Sequence, residues 1–377
     1  MEVTRPLALL GGLTPAQFMT RHWQKKPLLV RAALPGFTPL LSRAELFALA
    51  GRDEVESRLV SRSGGKWQFR RGPVARRALP PLARPDWTLL VQGVDLHHQP
   101  AHELLAQFRF VPQARLDDLL ISYAADGGGV GPHFDSYDVF LLQAQGRRRW
   151  RIGRQDDLSL VPDVPLKILA NFEPEAQYVL DPGDLLYLPP RYAHDGIAQG
   201  ECQTYSIGFR SPAGGELARD LLQRLSEDAA EAAGDRVYRD PSQAATQTPG
   251  AIPAPLQQFA QAALAAALKD PGALERALGE SLTEPKPTVW FEGAAPAGLD
   301  AGVVLDRRTR MMYDRSHVFI NGESYRASGR DAALMRALAD SGRLHAPQLA
   351  RARAAARALL AAWQEAGWLQ PLEEPRS

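Results

Sequence analysis

Two histidines and one aspartate set the chemistry this chain can do. His133-Phe134-Asp135 lies in the run GGGVGPHFDSYDVFLLQAQGRRRWRIG, and His194 follows the run DPGDLLYLPPRYA. Two imidazoles and a carboxylate are the donor set of a non-haem Fe(II) oxygenase, with the opposite face of the ion left open for an oxidant and a co-substrate. On an extended strand, side chains two residues apart share a face, so His133 and Asp135 are expected to hold one ion together. A histidine from a distant strand would complete the triangle.

Taken alone, H-x-D is a weak signal, and His194 reads as readily as a surface histidine. The surroundings sharpen both. Residues 127–132, GGGVGP, are a flexible approach that lets backbone come close to a site. Asp181-Pro182-Gly183-Asp184 is a turn signal before the apolar strand at 185–188, and Pro189-Pro190 ends that strand. His194 is therefore expected just beyond a strand end. Arg147-Arg148-Arg149 follow on the strand after the first ligand pair, where one guanidinium can meet an anionic co-substrate.

The 377 residues suggest two or three domains. With 45% hydrophobic and 23% charged residues, the composition is that of a globular protein with a sizeable core. The 44 basic and 43 acidic residues leave a formal net charge of +1, which gives no global attraction to nucleic acid or membrane. Cys202 is the single cysteine, so an intrachain disulfide and cysteine-rich zinc modules are excluded, and a reducing compartment is natural. Gly11-Gly12 interrupts the first apolar stretch too early for a signal peptide. No run approaches the ~20 apolar residues of a membrane span. A cytoplasmic protein without a membrane partner is expected.

Short helices are predicted at 14–23, capped by Thr14 with Pro15 at the first helical position, and at 42–51. Strand-like pieces at 27–31, 56–61, 67–70 and 87–92 lead to a helix at 101–110 and a strand at 117–123. From there to Arg210 the pattern is all-β, with strands at 137–143, 148–152, 177–180, 185–188 and 203–209. Many short strands without a long intervening helix point to an antiparallel jelly-roll barrel. Residues 211–215, SPAGG, mark a break. Beyond it, 215–233 and 255–268 have helical period, with Leu217, Leu221, Leu222 and Leu225 on one stripe. Residues 285–287, PKP, mark a second boundary. Strands at 303–305, 311–313 and 317–320, an Asn321-Gly322 hairpin, and helices at 331–340 and 347–366 suggest a small winged-helix-like unit. The expected domains are 1–212, 213–284 and 285–377.

At GGGVGPHFDSYDVFLLQAQGRRRWRIG the chain resembles the bacterial ribosomal oxygenases of the JmjC/cupin class, which hydroxylate an arginine in a large-subunit ribosomal protein. HWQKKPLLVRAAL (22–34), DPGDLLYLPPRYAHDG (181–196) and TYSIGFRSP (204–212) carry the resemblance across roughly the first 210 residues. The Pro-rich stretch at 240–255 departs from the family's pattern. The resemblance implies a mainly β chain: a double-stranded β-helix (jelly-roll, JmjC) domain, an α-helical dimerisation region and a winged-helix-like C-terminal domain. It also implies Fe(II), 2-oxoglutarate and O₂ as cofactor and co-substrates, a ribosomal-protein substrate and a homodimer.

Within that frame His133, Asp135 and His194 are the expected metal ligands and catalytic residues. The resemblance assigns the co-substrate carboxylate to Arg148, whose planar fork suits it. Strand alternation puts Arg148 on one face with Trp150 and leaves Arg147, Arg149 and Arg151 as solvated charge. Ser122 and Ser206 are expected hydroxyl partners of the same carboxylate, although each alone reads as an ordinary strand serine. Asp118 and Tyr137 are expected to clamp a cationic substrate side chain, the acid on the guanidinium and the ring on its stem. Asp118 reads equally as a turn cap, and Tyr137 as core. His97, His98 and His102 read as surface or capping residues beside Pro100, and His317 and His345 lie in the tail without a carboxylate pattern.

Two other readings stay open: a related hydroxylase acting on a histidine or a small molecule, and a non-catalytic cupin that only binds. Residues 276–377 hold 14 Lys/Arg against 12 Asp/Glu, less basic than a nucleic-acid reader, so direct nucleic-acid binding is not expected.

Overall fold

Thr14 and Ser42 start the first two helices with reciprocal capping boxes. The Gln17 N–H donates to Thr14 Oγ1 (3.1 Å) and the Thr14 N–H to Gln17 Oε1 (3.0 Å), while Ser42 and Glu45 repeat the exchange. The structure, a computed structural model, describes residues 2–293, 298–299 and 301–372; parts of the predicted tail at 294–297, 300 and 373–377 lie outside the described residues. Contacts divide the chain into a unit at 1–211 and a unit at 212–377.

The first unit contains α1 (Pro15–Arg21), β1 (Leu28–Val30), α2 (Arg43–Leu49), β2 (Ser57–Ser63), β3 (Lys66–Arg71), β4 (Trp87–Val91) and α3 (Gln99–Ala106). It continues with β5 (Leu116–Ala124), β6 (Val139–Gly153), β7 (Ala176–Leu180), β8 (Leu185–Leu188) and β9 (Ala193–Phe209). All pairings are antiparallel, in the order β1-β8-β6-β9-β5-β4-β2-β3 with β7 also on β6. This is the jelly-roll-type β-sandwich expected from the sequence.

The pieces predicted at 137–143 and 148–152 are one long strand, β6, and 203–209 is the far end of an equally long β9. Their register shifts between Gln143 and Gln145 and again between Gln145 and Arg147. Gly146 occupies the irregularity with φ 61°, and a Cβ there would meet the Glu201 carbonyl at 2.1 Å. The Gln143 side-chain amide secures the bend by donating to the Gln145 carbonyl (2.8 Å).

One face of β6 packs Phe140, Leu142 and Ala144 into the larger core with Phe18, Trp23, Tyr187 and Phe209. Phe18 and Phe140 are both fully buried, with ring centroids 5.4 Å apart. Truncating such a ring typically costs ~3–5 kcal/mol. Val139 and Leu141, on the opposite face, join Trp150, Ile152, Leu180, Leu186 and Leu188 in a smaller core.

The second unit begins with α4 (Gly214–Ala233), α5 (Ala254–Ala267) and α6 (Ala273–Thr283); the last lies outside the helices expected from the sequence, although its residues are amphipathic. Then come β10 (Gly302–Leu305), β11 (Met311–Tyr313), β12 (His317–Ile320), β13 (Glu323–Arg326), α7 (Gly329–Ser341), β14 (Arg343–His345), α8 (Ala346–Leu349), α9 (Ala354–Glu365) and β15 (Leu369–Pro371). Two three-stranded sheets, β14-β10-β15 and β11-β12-β13, share a core of Val303, Met335, Leu338, Leu360 and Trp363. The helix predicted at 347–366 is two helices, α8 and α9. His345 caps α8, and His317 lies 3.4 Å from Asp314, a carboxylate contact the spacing did not suggest.

Candidate active site

His133 and Asp135 do not lie on a regular strand. They belong to the loop between β5 and β6, where His133 forms a one-residue antiparallel bridge to His194, the second residue of β9. The two residues exchange both backbone hydrogen bonds, His133 N–H to the His194 carbonyl (3.0 Å) and the reverse (2.8 Å). Their rings consequently sit side by side, centroids 4.3 Å apart. His194 Nε2 is 3.8 Å from an Asp135 carboxylate oxygen, and one ligand atom from each of the three residues lies within 4.8 Å of the others. Among the described residues this is the one His/Asp cluster with such spacing.

Both imidazoles are oriented alike. His133 Nδ1 faces the Gly131 carbonyl at 2.9 Å, and His194 Nδ1 faces the Tyr192 carbonyl at 3.1 Å. A carbonyl can only accept, so each Nδ1 carries the proton and each Nε2 presents a lone pair to the cluster. Burial, reinforced by neighbouring His133 and opposed by Asp135, pushes the His194 pKa down to about 4. A neutral imidazole is the form that binds a metal.

Two further contacts hold the ligand loop. The Arg191 N–H donates to the Asp135 carbonyl (2.7 Å). Three residues on, the fully buried Asp138 accepts from Tyr187 (2.5 Å) and Gln24 (3.0 Å) and faces Arg115 (3.4 Å). The sequence gives no hint of that anchor beyond an acid inside an apolar run.

The ligands open into a cavity of about 360 Å³ lined also by Thr88, Asp118, Ser122, Tyr137, Arg148, Trp150 and Ser206. Arg148 is 4% exposed, and its Nη1 donates to Ser122 Oγ (3.0 Å) and Thr204 Oγ1 (3.3 Å). Its Nε and the Thr88 hydroxyl are buried without a partner. Arg147 is exposed and paired with Asp181, and Arg151 is paired with Asp195. Trp150 lines the cavity with Arg148, as strand alternation places them, whereas Thr88 and Thr204 carry no sequence signal beyond their strand positions.

Asp118 is 5% exposed and Tyr137 39% exposed, both on the cavity wall. Burial of the Tyr137 hydroxyl end, with the charges of Asp135 and Asp118 nearby, holds its pKa well above the usual phenol range. Neighbouring Asp117 is paired with Arg210 at 3.1 Å. His97, His98 and His102 lie half-buried around the start of α3, away from this cavity's lining.

Residues 103–217 match the family described as a JmjC domain, and residues 266–370 match the ROXA-like winged helix. A solved structure of Escherichia coli ycfD superposes with a TM-score of 0.80 at 32% identity, covering 95% of this chain and 98% of that one. The chain belongs to the JmjC-class ribosomal oxygenases. A second structure of the E. coli ribosomal oxygenase, in complex with cobalt and 2-oxoglutarate, has a TM-score of 0.78 at 31% identity over the same shares of both chains. Among curated relatives of this ribosomal oxygenase, the E. coli ribosomal protein uL16 3-hydroxylase is 41% identical over 225 residues, 59% of either chain. A probable ribosomal oxygenase of Haemophilus influenzae is 37% identical over 204 residues, 53% of this chain and 50% of the relative. The sequence match thus spans less than two thirds of either curated relative.

Proposed function

We propose that the chain is an Fe(II)- and 2-oxoglutarate-dependent oxygenase that hydroxylates an arginine side chain of a large-subunit ribosomal protein. The observation that carries the reading is that one cavity contains both the His133/Asp135/His194 cluster and a buried arginine with an unpaired donor. The E. coli relative is named for hydroxylating uL16, which supports the same substrate class here.

The donor chemistry fits the implied groups. Two Nε2 lone pairs and a carboxylate, close together and backed by carbonyls on Nδ1, suit Fe(II) held by three ligands. A buried guanidinium with an orphaned Nε, in a cavity also lined by the orphaned Thr88 hydroxyl, Ser122 and Ser206, suits the distal carboxylate of 2-oxoglutarate. When bound, the metal and co-substrate supply oxidative decarboxylation and transfer of one oxygen atom to a C–H bond.

The protein's own part is positioning. Arg148 neutralises and orients the co-substrate end farthest from the reaction, and its bond to Ser122 fixes the guanidinium plane. Asp118 accepts from the substrate guanidinium, while the Tyr137 ring packs along its aliphatic stem. Trp150, whose ring centroid is 5.8 Å from that of His194, keeps water from one side of the ligand cluster. We further propose that α4 and α5 bring two copies together, since Leu222 and Leu264 are 65% and 63% exposed.

The test is mass analysis of uL16 peptides after incubation with enzyme, Fe(II), 2-oxoglutarate and O₂. One added oxygen, located on arginine by fragmentation, is expected. Oxygen on histidine, or succinate formation that ignores the peptide, would overturn the arginine assignment.

A further inference from the structure

The second unit contains a cavity that has no part in the chemistry above. It encloses about 440 Å³, within the usual size range of small-ligand sites, and is lined by Arg315, Ser316, Arg326, Ser328, Gly329 and Arg336 among small residues. Among the described residues no carboxylate lines it. We propose that this cavity binds a phosphate group.

Three separate segments deliver the guanidinium groups. Arg315 sits in the turn from β11 to β12, exposed because the Asp314 carboxylate accepts the Ser316 and His317 N–H groups (2.6 Å each) and folds the turn back on itself. Arg326 ends β13, directly opposite His317. Arg336 projects from α7, donates to the Arg315 carbonyl (2.9 Å), and lies over the Tyr313 ring at 5.5 Å. That carbonyl bond pre-sets Arg336 while leaving it charged.

Three acids of the neighbouring elements have hydrogen-bond partners of their own and do not line the cavity. Asp314 serves its own turn and His317, Asp340 accepts from the Tyr313 hydroxyl (3.1 Å), and Asp331 accepts from the Arg353 N–H (3.4 Å). Among the described residues no ion pair engages Arg315, Arg326 or Arg336. Three like charges around one concavity repel one another, and a bound anion relieves that cost.

Backbone donors point to the same ligand. Ser328, at the N-cap of α7, makes no side-chain cap bond, so the first-turn N–H groups keep their donor capacity. Gly329 has φ 62°, and a Cβ built there would meet nothing within 4 Å, so this backbone faces open space. Three guanidinium groups with a helix N-terminus exceed what one carboxylate would balance, and tetrahedral oxygens can engage several donors at once. Residues 212–377 hold 19 Lys/Arg against 21 Asp/Glu, so the three arginines of this lining do not follow from a basic composition.

Isothermal titration of the full chain with inorganic phosphate, and separately with a short single-stranded oligoribonucleotide, tests the site. Saturable phosphate binding is expected, weakened at least tenfold in Arg315→Gln/Arg326→Gln and partly restored in Arg326→Lys. If the oligoribonucleotide binds tighter and phosphate displaces it, the natural source is an RNA backbone. If only phosphate binds, the source is a small phosphate compound. Unchanged affinity in a double variant that melts like the parent, or no saturable binding of either probe, would refute the site.

Discussion

His133 and His194 are bound to each other through both backbone hydrogen bonds before any ion is considered. The 61-residue separation between them is closed by strand pairing, so the metal face is assembled by the sandwich and not by the ion. A variant lacking one imidazole should therefore fold while losing the ion. For His133→Ala we expect a melting temperature within a few degrees of the parent and no stoichiometric Fe(II) binding. The affinity loss should exceed the roughly 10- to 100-fold typical of changes behind the ligands. Metal analysis after gel filtration reads the outcome; retained stoichiometric iron would remove His133 from the ligand set.

Arg148 tests the co-substrate end. Its replacement by Met removes a buried guanidinium that donates to Ser122 and Thr204. Two charge-assisted hydrogen bonds lost together correspond to roughly 3 kcal/mol, or about a hundredfold higher 2-oxoglutarate requirement. Thr88→Val removes one neutral hydroxyl, and a rise of about fivefold follows from roughly 1 kcal/mol. Equal effects from both variants would contradict the division of roles.

Much of this site can be read from the chain itself, because turn chemistry and apolar runs mark the strands that flank it. The 185–188 strand, the DPGD turn before it and both early helix caps are local signals, and the structure contains each of them. What could not be read is the face on which distant parts of β6 emerge. Strict alternation from Val139 and Leu141 would carry their face to Arg147 and Arg149. The irregularity around Gly146 shifts the parity, so Val139, Leu141, Arg148 and Trp150 all line one cavity. Thr88 and Thr204 were missed for a related reason. A polar residue in an apolar strand acquires meaning only when strands far apart in sequence place their polar atoms around one space.

Gly196 reveals how closely the metal wall is packed. A Cβ on this residue would lie 2.6–2.9 Å from three atoms of the Trp150 ring, which is 5% exposed and cannot swing away freely. Gly196→Ala should displace that ring toward the cavity, lowering stability by about 1–3 kcal/mol and weakening metal binding at His194 two residues away. Gly215→Ala is the matched control, because its Cβ would meet nothing within 4 Å inside α4, and helix propensity favours Ala. Thermal melts of the two variants should move in opposite directions.

The exposed leucines of α4 and α5 make an oligomer test simple. Leu222→Glu with Leu264→Glu places charge on a face that water already reaches, so the fold should survive. Light scattering at micromolar concentration should give a dimer for the parent and a monomer for the double variant. A monomeric parent would leave these leucines as ordinary surface and end the dimer proposal.

Asp184 links acid stability to the same strand that leads to the ligands. It is 5% exposed, and its carboxylate accepts from the Ala32 N–H (2.9 Å), the Asp181 N–H (3.0 Å) and Arg31 (2.5 Å). Burial alone would raise its pKa, but these donors outweigh it and hold the group below the ordinary aspartate range. The unfolded chain therefore takes up the proton first as pH falls. Stability from this group is complete above the unfolded value of about 3.9 and disappears as pH drops through the lower folded value. Asp184→Asn keeps an acceptor oxygen but places an amide where a third donor points, so a loss of about 1–3 kcal/mol at neutral pH is expected. As pH falls through the lowered folded value the gap between variant and parent should shrink. Urea melts in a pH series from 7 downward through the acid transition measure both differences, and a gap independent of pH would mean that the turn does not depend on the ionised carboxylate.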